Sequence, residues 1–96
     1  MLTFVIPGPL REFASNRTEV NVRGDAASVS DALALLWHEH PGLRDRVITE
    51  RGELRPHVNV FVDGDSIRSG TGLGLETPVT AEAEVWILPA VSGGRA

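Results

Sequence analysis

The sequence predicts an α+β domain in which one helix lies over one face of a mixed sheet of four to five strands. Short segments near both ends and in the middle alternate apolar and polar residues, the period of a half-buried strand. Only one stretch carries a strong helical period, and it sits between the second and third of those segments. The last alternating segment runs directly into a tail containing Gly93-Gly94.

Taken in order, Leu2, Phe4 and Ile6 alternate with Thr3 and Val5, and Pro7-Gly8-Pro9 stops the run. Glu19-Val20-Asn21-Val22 alternates in turn and ends at Gly24-Asp25, so it can pair antiparallel with the first strand. The intervening Leu10–Arg17 stretch is longer than a tight turn. Ser28 is the candidate N-cap of the helix, with Asp31 three residues on, where a carboxylate both caps and suits the positive helix end. Val29, Ala32, Leu33 and Leu36 follow at i, i+3, i+4 and i+7, one apolar face turned to the sheet, and Pro41-Gly42 ends the helix. Trp37 belongs at the edge of the core. Leu43 to Arg55 is polar with few apolar anchors and reads as a connection with room for a helical turn.

His57-Val58-Asn59-Val60-Phe61-Val62 is the next strand. Asp63-Gly64 is a two-residue hairpin signal, and Ser66-Ile67-Arg68 is the short return strand. Ser69 to Pro78 is a Gly-rich loop, and Glu84-Val85-Trp86-Ile87-Leu88 is the final strand, cut off by Pro89. This order is that of the β-grasp arrangement. A ferredoxin-like fold would need a second strong helix, which the Gly-rich loop cannot supply. The expected division is a β-grasp domain over residues 1–90 and a flexible diglycine tail over 91–96 that ends in Arg95-Ala96.

Composition removes several functions. Net charge is −4 with no basic block, against nucleic acid as the main partner. With no Cys there is no disulfide, no thiolate nucleophile and no zinc–thiolate site. The N-terminal residues lack the pattern of a secretory signal, and no apolar run approaches a membrane span, so the expectation is a soluble, cytoplasmic chain with no membrane partner. All nine cationic side chains are Arg, so no side-chain amine is present for a Schiff base or an isopeptide bond.

Candidate sites in the body are weak. His38-Glu39-His40 resembles a metal cluster, but residues two apart on a helix face different directions. Gly70-Thr71-Gly72-Leu73-Gly74 does not open a helix and lacks the Gly-Lys-Ser/Thr ending of a phosphate loop. Ser28 and Ser30 have capping or surface roles, His57 opens a strand, and Asp63 and Asp65 fit hairpin chemistry. No catalytic residue, metal site or bound cofactor is expected. Alternation does isolate one surface feature. If Val58, Val60, Val62, Val85 and Ile87 face the helix, then Phe61, Trp86 and Leu88 face away from it. Either they form an exposed docking patch, or they pack under the Leu10–Arg17 or Gly-rich loops.

The stretch from His57 through Asp63-Gly64 to Arg68, followed by Ile87-Leu88-Pro89-Ala90-Val91-Ser92-Gly93-Gly94, closely resembles the MoaD/ThiS sulfur carriers. It is most similar to the CysO branch, whose tail reads Ile-Leu-Pro-Ala-Val-Ala-Gly-Gly. Pro9-Leu10-Arg11 and the capped helix ending at Pro41-Gly42 extend the resemblance over nearly the whole chain. It implies a ubiquitin-like protein that acts as a co-substrate and is not an enzyme. An ATP-dependent adenylyltransferase similar to ubiquitin-activating enzymes would dock on Phe61, Trp86, Leu88, Pro89 and Val91 and convert the Gly94 carboxylate to an acyl-adenylate. A sulfur donor enzyme would then leave a thiocarboxylate on Gly94 for delivery to a sulfur-accepting synthase. At roughly 3.3 Å per extended residue, the five residues after Pro89 span about 17 Å.

Arg95-Ala96 departs from the family pattern, because it locks the Gly94 carbonyl in a peptide bond. The expectation is that a JAMM-type metallopeptidase cuts between Gly94 and Arg95, removing Arg95-Ala96 to expose Gly94. Two other readings of the tail are the small subunit of molybdopterin synthase and a ubiquitin-like protein modifier.

Overall fold

The computed structural model describes residues 1–68 and 73–89. The sheet has five strands: β1 Leu2–Val5, β2 Glu19–Val22, β3 Val58–Val62, β4 Asp65–Ser66 and β5 Glu84–Pro89. Their order across the sheet is β2-β1-β5-β3-β4. β1 and β5 run parallel at the centre, and the other neighbours are antiparallel. The main helix α1, Val29–Glu39, connects β2 to the second half of the chain, followed by the single turn α2, Arg44–Val47. This is the β-grasp arrangement.

The local chemistry explains the boundaries. Ser28 is extended and its hydroxyl accepts from the Asp31 N–H at 3.2 Å. Asp31 reaches back past the cap and accepts from the Ala27 N–H at 3.2 Å, so one orphan donor of the helix and the backbone N–H just ahead of its cap are both satisfied. The entry is held from outside as well: Val29 donates to the Thr77 carbonyl and Val79 to the Ala27 carbonyl. Asp63 and Gly64 both have positive φ, 48° and 94°, the two-residue turn whose twist matches antiparallel strands.

The apolar face of α1 (Val29, Ala32, Leu33, Leu36) meets Leu2, Phe4, Val58, Val60, Val85 and Ile87 in one core. Trp37 packs against its edge. Every residue in that alternation falls on the expected side.

Three details differ from the sequence reading. The Leu43–Arg55 connection is better anchored than its composition implied, since Leu43, Val47 and Ile48 are all buried. The return strand is Asp65–Ser66, not Ser66–Arg68, because a two-residue turn places Asp65 opposite Val62 and Ser66 opposite Phe61. Ile67 makes one further bond, to the Val60 carbonyl, then buries its side chain. The stretch after β1 is not a plain loop: Gly8–Ala14 winds as a 3-10 helix and buries Leu10 and Ala14.

Candidate docking face and the root of the tail

β5 is the strand that leads to the C-terminus, and it lies at the centre of the sheet. Its register fixes what surrounds Trp86: Val5 of β1 on one side and Phe61 of β3 on the other. Leu88, one step nearer the tail on the same face, stands opposite Asn59, and Pro89 stands opposite Val58. Strand alternation sends Val85 and Ile87 to the core, so Trp86 and Leu88 must face the other way.

The result is a shallow apolar groove of about 210 Å³ lined by Phe61, Gly64, Trp86 and Leu88. The side chains of Phe61, Trp86 and Leu88 are half-buried. The segments that might have covered them pack elsewhere: Leu10 and Ala14 belong to the core, and Leu75 of the Gly-rich loop packs against it. Among the described residues, then, neither Leu10–Ala14 nor Leu75 covers this face.

Polar contacts hold the groove in shape. The Trp86 indole N–H donates to a Glu84 carboxylate oxygen at 2.8 Å. Glu84 is in turn latched to the hairpin, its N–H donating to the Asp63 carboxylate and its carbonyl accepting from the Asp63 N–H, both at 2.9 Å. Asp63 therefore shapes the turn and also fixes where β5 begins, a role that hairpin propensity does not reveal. On the far side of β3, Arg68 bridges back to the entrance of the strand. Its guanidinium donates to the carbonyls of Val58 and Arg55. Ser66 Oγ donates to Asn59 Oδ1 at 3.0 Å. Arg68 was legible only as a residue of the return strand, since a guanidinium folding onto carbonyls ten and thirteen residues away leaves no local pattern.

The groove presents apolar side chains, and the sequence-level polar candidates lie elsewhere. His38 and Glu39 are exposed at the end of α1, His57 is exposed ahead of β3, and Ser28 is occupied as the helix cap. Among the described residues, no cluster of three or more His, Cys, Asp and Glu side chains is placed to hold a metal ion. Among the same residues no helix is long and apolar enough to cross a membrane. Val91, Gly93, Gly94 and Arg95 lie outside the described residues, as do Gly70, Thr71 and Gly72 of the Gly-rich loop.

A model of the ThiS family matches residues 4–94. The chain is a member of the ThiS family. Small archaeal modifier protein 1 of Haloferax volcanii is 42% identical to this ThiS-family chain over 86 residues, covering 88% of it and 91% of the relative. Sulfur carrier protein CysO of Mycobacterium tuberculosis is 32% identical over 97 residues, covering 97% and 98% respectively. In three dimensions the ThiS-family domain superposes on a chain of the crystallised Amycolatopsis orientalis BexX/CysO complex with a TM-score of 0.84. That match has 31% identity and covers 98% of this chain and all of the other.

Proposed function

We propose that this ThiS-family protein is a sulfur carrier that works through the carboxylate of Gly94. The observation that carries the reading is that the family match ends at Gly94, leaving Arg95 and Ala96 beyond it. Removal of Arg95-Ala96 by a JAMM-type metallopeptidase frees that carboxylate. An ATP-dependent adenylyltransferase then docks on the face formed by Phe61, Trp86 and Leu88, with Pro89 and Val91 leading into its active site.

The chemistry follows from the weakness of a carboxylate as an electrophile. Attack of a Gly94 carboxylate oxygen on the α-phosphorus of ATP releases pyrophosphate and gives an acyl-adenylate with AMP as leaving group. A persulfide on a sulfur donor enzyme attacks the acyl carbon and expels AMP. Reductive cleavage of the resulting acyl disulfide by a thiol leaves the thiocarboxylate on Gly94. The accepting synthase takes the sulfur from that end, for cysteine or a sulfur-containing metabolite. The carrier contributes recognition and reach, and ATP is consumed by its partner.

Intact mass of the protein recovered from its native host tests this directly. The expected species lacks Arg95-Ala96, and a fraction of it carries sulfur in place of one terminal oxygen. A chain that keeps Ala96 while sulfur metabolism is active removes Gly94 as the reagent.

The likeness to a small archaeal modifier protein favours a second reading, in which the same activated Gly94 forms amide bonds with lysines of other proteins. Adduct ladders on a denaturing gel that disappear on Gly94→Ala substitution would support it. Since this chain has no Lys, such conjugates cannot branch through its own side chains.

A further inference from the structure

We propose that β2 pairs with β2 of a second copy of this chain, joining two five-stranded sheets edge to edge. β2 is one margin of the sheet, and among the described residues its only strand neighbour is β1. The other margin, β4, has two residues, whereas β2 offers four. The register of β1 and β2 and the bond from the Ile6 N–H to the Thr18 carbonyl fix the alternation. Val20 and Val22 direct their backbone groups to β1, and Glu19 and Asn21 direct theirs outward. An outward ladder of this kind is a template for another strand.

Charge selects the occupant and the register. Glu19, Asn21 and Arg23 are exposed. An antiparallel two-fold centred on Asn21 places Glu19 opposite Arg23 of the second copy, twice by symmetry, and Asn21 opposite itself. On the helix side the same register sets Val20 opposite Val22. Shifting one strand by two residues in one direction brings Arg17 opposite Arg23, and in the other brings Glu19 opposite Asp25. Each shift opposes like charges across the pair, which is destabilising. Charged edges often serve only to prevent pairing, but these charges are of both signs and complement themselves in one register. The docking face of Phe61 and Trp86 lies over β3 and β5, two strands away, and remains available in the pair.

The association is weak, with a Kd on the order of 0.1 mM, because a four-residue edge buries little area. Sedimentation equilibrium up to about 1 mM is therefore expected to show a monomer–dimer equilibrium. Glu19→Arg alone and Arg23→Glu alone each weaken it by about tenfold, since each reversal acts at two pairs. The double exchange, Glu19→Arg with Arg23→Glu, restores it. In a chain without Cys, Asn21→Cys is expected to form a symmetric disulfide on mild oxidation, because hydrogen-bonded partners stand about 5.5 Å apart at Cα. Glu19→Cys, equally exposed, does not. A protein that stays monomeric overturns the proposal. So does a dimer that the double exchange fails to restore, or equal cross-linking of the two Cys variants.

Discussion

Trp86 shows how much one side chain on this sheet depends on its neighbours. Val5 and Phe61 flank it across the strands, and Glu84 takes its indole proton. The aromatic body thus stays in the groove while its polar edge is satisfied, a combination common at anchors of protein interfaces. Because the side chain is half-buried and lies outside the core cluster, Trp86→Ala is expected to leave the fold intact. It should raise the KM of the activating enzyme for this carrier at least tenfold, as loss of about 1.4 kcal/mol or more of interface energy would. Pyrophosphate exchange with the truncated carrier as substrate measures it, with fluorescence of Trp37 reporting that the domain remains folded. An unchanged KM would move the docking surface elsewhere.

At the level of elements, the β3–β4 hairpin sets the geometry of the groove. Its turn needs positive φ at both central residues, and Gly64 occupies the second at 94°. Nothing lies within 4 Å of the place a Cβ would occupy. The strain of Gly64→Ala is therefore conformational and not steric, and it should cost about 1 kcal/mol of stability. Urea unfolding measures that loss. A loss near zero would mean that the turn relaxes to another type. Gly64 also lines the groove, so a relaxed turn would shift Phe61 and weaken docking even where stability survived. Such a result separates the turn's part in holding the fold from its part in shaping the face.

Across the whole molecule, the described residues build one core that both halves of the chain share. Among the described residues Ile87 is the last of the core, and β5 spans Glu84–Pro89. A chain truncated after Gly94 should accordingly unfold at the same urea midpoint as the full chain. It should also be adenylated without the peptidase, whereas the full-length chain should not. Activation of the full-length chain by the adenylyltransferase alone would place the reactive carboxylate somewhere other than Gly94. If Gly94 is the reagent as proposed, the topology keeps stability and reactivity apart. The strand that leads to the tail is paired on both sides, so that strand is held firmly ahead of Gly94.

The four longer strands and the main helix were legible in the sequence because each has a local signature, whereas the bounds of the short return strand were not. Alternation over Leu2–Ile6 and His57–Val62, the Ser28–Asp31 cap and the Asp63-Gly64 turn each depend on residues a few positions apart. The same alternation divided Phe61, Trp86 and Leu88 from Val60, Val85 and Ile87, and the tail motif led to the family. Local pattern could not decide whether the outward face was open, because that depended on where the segments at Leu10–Ala14 and Leu75 packed. Nor could it reveal the Asp63–Glu84 latch or the contacts of Arg68, whose partners lie ten to twenty-one residues distant. Leu43, Val47 and Ile48 carried a faint helical spacing that the surrounding charges obscured. The sequence by itself determined which residues alternate, cap and turn, since short-range sterics and hydrogen bonding govern those choices. Only the tertiary structure decided which face and which edge the described residues leave uncovered, because both are fixed by contacts between segments far apart in the chain.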